Sequence, residues 1–174
     1  MRRLGAFLVA AVLLVGGSAH AAELRIELHM VNEGGIGWPV GWVKASDSVF
    51  GLILAPQLYN LSPGPHGFHL HRAPACGPKE KDGKVVPGLA AGGHLDSDDR
   101  RAHRGPYENG HLGDLPELWA RDDGSTQIPM LVPRLEVADL RGHAFVIHRR
   151  GDSYSDEPSP GGGGGPRFAC GVIR

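Results

Sequence analysis

Leu24-Arg25-Ile26-Glu27-Leu28-His29-Met30 alternates apolar with charged or polar side chains without a break. A period of two belongs to a strand with one face buried, because successive side chains point to opposite sides of the pleat. Working outward, Val49 to Leu54, Gly67 to His71, Leu118 to Arg121, Ala144 to His148 and Phe168 to Ile173 read as further strands, and Gly or Pro interrupts most windows between them. No segment keeps a helical period. The pattern predicts an all-β chain folded as an antiparallel β-sandwich or barrel. Gly161 to Gly165 lacks the Gly-Lys-Ser/Thr ending and the following helix of a phosphate loop, and is expected to be a turn into the last strand.

Arg2-Arg3, the apolar run Leu4 to Val15 and the small residues ending in Ala19-His20-Ala21 have the layout of a signal peptide. The run covers 12 positions, short of the roughly 20 residues a helix needs to cross a bilayer. The other residues of a twin-arginine signal are missing. Cleavage after Ala21 is expected, leaving residues 22–174 as one exported domain with 16 basic against 19 acidic residues, a net charge of −3. Nothing in that balance suggests nucleic acid or an anionic membrane surface as a partner. Cys76 and Cys170, in a chain bound for an oxidising compartment, are expected to form one disulfide.

Ala73 to Leu115 breaks the strand pattern with Gly, Pro, His and Asp, and a loop that long inside a compact domain points to function. In His66-Gly67-Phe68-His69-Leu70-His71, His69 and His71 share one strand face while Phe68 and Leu70 share the other. His94, His103, His111 and Asp114 follow in the loop, and His148 lies on a later strand face with Ala144 and Val146. Six histidines and one aspartate are one ligand short of two four-coordinate sites, and one imidazole bonding through both ring nitrogens supplies the eighth bond. His94, between the two groups in sequence, is the candidate bridge. Spacing alone does not divide the seven. His66, His143 and His29 are expected to lie outside the site.

GPHGFHLH at Gly64 to His71, GGHLD at Gly92 to Asp96, HLGDLP at His111 to Pro116, RGHAFVIH with Gly151-Asp152, and GGGGGPRFACGVI at Gly161 to Ile173 together resemble, in order, the motifs of copper-zinc superoxide dismutases of the bacterial periplasmic type. The resemblance covers Gly64 to Arg174; residues 22–63 match only as strand pattern. It implies a Greek-key antiparallel β-sandwich/barrel with long metal-binding loops. It also implies one copper on His69, His71, His94 and His148 and one zinc on His94, His103, His111 and Asp114. Asp152 matches the carboxylate that hydrogen-bonds one ligand of each metal, here His71 and His103. Cys76 with Cys170 matches the family disulfide, and Arg167 the arginine that attracts superoxide to the copper.

The implied reaction is dismutation: one superoxide reduces Cu(II) and leaves as dioxygen, and a second reoxidises the copper and leaves as hydrogen peroxide, with His94 carrying a proton. Superoxide is the expected substrate, the periplasm the expected compartment, and a monomer or homodimer the expected state. Leu95 stands where an aromatic is common, the His103 to His111 spacing is short, and Arg149-Arg150 stand where small residues are common. A copper or zinc storage or delivery module on the same fold is the alternative; the presence of Arg167 beside a complete copper set weighs against it. Four copper nitrogens and a closed zinc set weigh against a zinc hydrolase.

Overall fold

The computed structural model describes residues 22–174; the signal peptide expected over 1–21 and the cleavage expected after Ala21 lie outside the described residues. In chain order the strands are β1 (Glu23–Asn32), β2 (Gly35–Ser48), β3 (Gly51–Leu58), β4 (Gly64–His66), β5 (Phe68–His71), β6 (Lys79–Lys81), β7 (Lys84–Val86), β8 (Leu118–Ala120), β9 (Met130–Val132), β10 (His143–His148) and β11 (Arg167–Ile173). Seven of them form one curled antiparallel sheet in the order β5-β10-β11-β1-β2-β3-β9, and β4 pairs with β8. The all-β, antiparallel expectation holds.

Three local readings change. The alternation of β1 slips after Leu28, where register shifts against β2 flank His29. Beyond the slip Val31 is buried, Met30 is only partly so, and His29 is half-buried. Strand β2 was not read from the sequence, because Gly35, Gly37, Pro39 and Gly41 break its apolar run. Val49 and Phe50 belong to the β2–β3 turn and stand exposed, so β3 begins two residues later than the pattern suggested. The long loop also has structure of its own: the β6–β7 hairpin and a short helical turn, Leu89–Ala91.

The inward faces make one core in which Phe68, Leu70, Phe145 and Ile147 meet Leu28, Leu54, Leu58 and Leu118. Phe68 and Phe145 pack with ring centroids 5.0 Å apart. The outward face of β5 is buried as well, so all four of its residues are inaccessible. The material over that face is the long loop. A second apolar cluster of Val31, Cys76, Ala91, Ala144, Val146 and Cys170 anchors the loop to the sheet, and the Cys76–Cys170 disulfide lies within it.

Candidate metal centre

The loop reaches the histidines of β5 by extending the sheet. Leu70 N–H donates to Gly113 O at 2.9 Å, Leu95 N–H to Leu70 O at 2.8 Å, and Gly113 N–H to Leu95 O at 2.8 Å. Isolated bridges then set His69 opposite Asp114 and His71 opposite His94. Gly113 is required by this approach, since a Cβ there would stand 2.1 Å from Leu70 O. On its other edge β5 pairs with β10, His69 with Val146 and His71 with Ala144. His148 follows at the end of β10, just past a register shift against β11.

The structure brings all seven candidate ligands together. One nitrogen or oxygen from each of His69, His71, His94 and His148 lies within 4.8 Å of the others, and the same is true of His94, His103, His111 and Asp114. His94 is common to both groups. Its Nδ1 faces Asp114 Oδ1 at 3.1 Å, and its ring stacks on His69 with centroids 3.9 Å apart.

Hydrogen bonds select which nitrogen each ring offers. His71 Nδ1–H donates to Gly92 O at 2.9 Å, and His148 Nδ1–H to Gly165 O at 3.0 Å. His69 Nε2 and His103 Nε2 donate to the two oxygens of Asp152, each at 2.7 Å. The opposite atoms, His69 Nδ1, His71 Nε2, His103 Nδ1 and His148 Nε2, are buried with no hydrogen-bond partner among the described residues. His103 Nδ1 lies 2.8 Å from Asp114 Oδ1 without hydrogen-bond geometry, as two ligands aimed at one point would. An unsatisfied buried polar atom costs about 1–3 kcal/mol. Four in one place make a donor set that fits a cation, and all-nitrogen and three-nitrogen, one-oxygen sets suit copper and zinc respectively.

Burial lowers the His69 and His71 imidazoles well below the ordinary histidine range and the His148 ring to about 4, which leaves them neutral with a lone pair to offer. Burial also works to lower His103, but the Asp114 and Asp152 carboxylates beside it prevail and push it up to about 9. Those carboxylates would be raised by burial. Their histidine neighbours, His103 first, hold both well below the usual carboxylate range.

One contact corrects the sequence reading: Asp152 bonds His69 and His103, whereas His71 turns its Nδ1 to Gly92 O. Strand direction is the reason. His69 lies at the end of β5 nearer Gly151-Asp152, since Gly67 N–H bonds Arg150 O, and His71 lies at the end nearer Gly92. His66 stands apart, with Nδ1 bonded to His148 O at 2.7 Å, and His143 donates to Arg72 O at 3.0 Å.

Arg167 opens β11 half-buried. Its guanidinium donates to Gly88 O at 2.6 Å and to Gly92 O, and it lines an open cleft of about 720 Å³ together with His71, His94 and His148. Two supporting residues went unread. Arg134 donates to the carbonyls of Gly105, Pro106, Gly110 and His111, at 2.7–3.2 Å, and so shapes the loop between His103 and His111. Asp156 accepts the N–H groups of His103 at 2.8 Å and Gly161 at 2.9 Å. Neither has a motif, because each acts across segments remote in sequence.

The copper/zinc superoxide dismutase (SODC) family model matches residues 41–173. The superoxide dismutase [Cu-Zn] of Actinobacillus pleuropneumoniae is 53% identical over 137 residues, covering 78% of this chain and 72% of that one. Among solved structures, the Cu/Zn superoxide dismutase of Brucella abortus superposes with a TM-score of 0.86 at 44% identity, covering 88% of this chain and all of that one. The solution structure of the monomeric copper, zinc superoxide dismutase of Salmonella enterica superposes with a TM-score of 0.79, also at 44% identity and with the same coverage. With a match of this extent and a donor set to suit two metals, the chain belongs to the copper/zinc superoxide dismutases.

Proposed function

We propose that the exported chain dismutes superoxide to dioxygen and hydrogen peroxide, with copper held by His69, His71, His94 and His148 and zinc by His94, His103, His111 and Asp114. The observation that carries this reading is the group of buried, unpartnered ring nitrogens, each fixed by a hydrogen bond on the far side of its own ring. Copper bound there supplies a one-electron couple for alternate oxidation and reduction of superoxide, while zinc supplies a fixed charge without redox chemistry. His94, oriented through Nδ1 toward Asp114, can hold a proton at Nε2 and pass it to the reduced product. Asp152 keeps His69 and His103 in one tautomer each. Residues 22–174 are proposed to act in the periplasm as a single domain, with superoxide as the partner.

The test is metal content, intact mass and dismutation on one purified sample. The expected result is one disulfide-bonded chain of residues 22–174 with about one copper and one zinc, active only with copper present. A protein that holds zinc alone, and whose metal content is indifferent to His148→Ala, would refute the two-metal assignment.

Arg167 separates an enzyme from a carrier. Guanidinium cannot ligate a metal, because it has no lone pair at any working pH. Beside the cleft its value is for an anion, held by charge and by the N–H groups left over from Gly88 O and Gly92 O. Arg167→Ala is expected to leave both metals bound and lower dismutation about tenfold, Arg167→Glu to lower it further, and both to flatten the salt dependence. Equal stopped-flow superoxide decay in fully metallated wild type and Arg167→Glu at low ionic strength would leave the storage reading ahead.

A further inference from the structure

Three contacts around Asp152 converge on one side chain, Tyr154. Its N–H donates to Asp152 Oδ1 at 2.8 Å, the same oxygen that accepts His103 Nε2–H at 2.7 Å. Its hydroxyl accepts Glu117 N–H at 2.9 Å. Its ring covers Gly105 so closely that a Cβ there would stand 2.8 Å from the ring Cγ and Cδ1. Gly105 follows His103 by two positions and Glu117 follows Asp114 by three, so one tyrosine touches both ends of the segment that carries His103, His111 and Asp114. Glu117 closes the circuit. Its Oε2 accepts Asp152 N–H at 3.1 Å, and it packs against Gly151, where a Cβ would stand 3.3 Å from that oxygen.

The backbone points the same way. Tyr154 has a φ of 52°, a left-handed conformation that Gly or Asn adopts far more readily than an aromatic residue. A bulky ring kept there is held by its surroundings, and such residues concentrate where function requires them. The turn around it is tied down on both sides: Ser153 N–H bonds Gly162 O at 3.0 Å, and Gly162 N–H bonds Ser155 O at 3.2 Å. The tyrosine is 37% exposed, so it is not a core residue whose loss unfolds the domain.

The two oxygens of Asp152 serve different ligand groups. Oδ2 accepts His69 Nε2–H, on the proposed copper side, and Oδ1 accepts His103 Nε2–H, on the proposed zinc side. Tyr154 acts on Oδ1 and on the two ends of the 103–114 segment, and among the described residues none of its hydrogen bonds reaches His69, His71 or His148.

We infer that Tyr154, together with Glu117, is a positioning residue for the zinc ligands. It fixes Asp152 Oδ1 against His103 and holds Gly105 and Glu117 at a set separation, so that His103, His111 and Asp114 are aimed before a cation arrives. The inference rests on the proposed zinc assignment to His94, His103, His111 and Asp114, and not on the proposed reaction.

Zinc release to a chelator tests it on disulfide-intact, copper-loaded protein, with copper content and circular dichroism measured alongside. The visible spectrum of cobalt(II) in place of zinc, with copper in its colourless reduced state, supplies a second readout. Cobalt(II) reports ligand geometry where zinc, with its filled d shell, is silent. Tyr154→Asn keeps a residue suited to the left-handed backbone and removes the ring and hydroxyl. It is expected to release zinc about tenfold faster and to shift the cobalt bands, with copper content and fold unchanged. Tyr154→Phe keeps the ring over Gly105 and should recover most of the loss. Glu117→Gln keeps an acceptor for Asp152 N–H and should resemble wild type, whereas Glu117→Ala should not. Equal zinc release and identical cobalt spectra in wild type and Tyr154→Asn, or copper and zinc lost together to the same degree, overturn the inference. A wild type that takes up neither zinc nor cobalt removes the zinc assignment and this inference with it. The expected variant pattern in a protein without dismutase activity would leave the positioning role standing and remove the proposed function instead.

Discussion

Asp152→Asn is expected to cost the protein about 10- to 100-fold in metal retention and a comparable factor in dismutation. Asp152 accepts His69 Nε2–H on one oxygen and His103 Nε2–H on the other, both at 2.7 Å, and so joins a member of each ligand group through one buried side chain. Asparagine replaces one of those acceptors with an NH2 donor. One imidazole then faces donor to donor, must change tautomer or rotate, and turns its lone pair away from the other ligands. The aspartate is itself tightly placed, with Tyr154 N–H on Oδ1 at 2.8 Å and its own N–H on Glu117 Oε2 at 3.1 Å. Gly162 backs it so closely that a Cβ there would stand 2.0 Å from Oδ1 and 2.6 Å from His103 Nε2. Gly162→Ala should therefore reproduce the loss without changing any titratable group. Copper and zinc contents equal to wild type in both variants, after dialysis against a chelator, would show that the shared carboxylate does not organise the centre.

Loss of the disulfide is the second large effect. Cys76 and Cys170 are 94 residues apart, and in the chain-entropy model a loop of that length contributes roughly 4–5 kcal/mol by restricting the unfolded chain. For a domain of this size that corresponds to a fall in Tm on the order of 10 °C. The consequence for the centre is local. The bridge holds the loop against β11 beside the Leu89–Ala91 turn, whose flanking carbonyls, Gly88 O and Gly92 O, anchor Arg167; Gly92 O also fixes the His71 tautomer. The Cys76→Ser, Cys170→Ser double variant is therefore expected to melt lower, to lose metal faster and to show lower activity per bound copper. Calorimetry with metal analysis checks all three, and unchanged melting and metal retention would contradict the structural account of the bridge.

The fold was legible where side chains alternate cleanly. Leu24 to Leu28, Phe68 to His71 and Ala144 to His148 carry their period in the chain itself, because in a strand the face is set by odd or even position. Strand β2 was hidden because glycine and proline occupy alternate positions along its first half, and its pairing with β1 absorbs the irregularity through register shifts that only the partner strand reveals.

The inventory of the centre also belongs to the sequence alone: six histidines and Asp114 in a loop-rich chain, Arg167 ahead of Cys170, and a resemblance that divides the ligands between two metals. What each ring does with its second nitrogen was decided only by tertiary structure. Asp152 was assigned to His71 by resemblance, yet it bonds His69, because that choice depends on which end of β5 passes the 151–152 turn and on which carbonyl lies behind the other ring. The support from Arg134 and Asp156, and the orientation of Arg150 rather than Arg149 into the cleft, are of the same kind. Residue type and strand phase are local quantities that a linear pattern can carry, whereas a hydrogen bond between Asp152 and a ring 83 positions away exists only after the sheet has closed and brought the loops together.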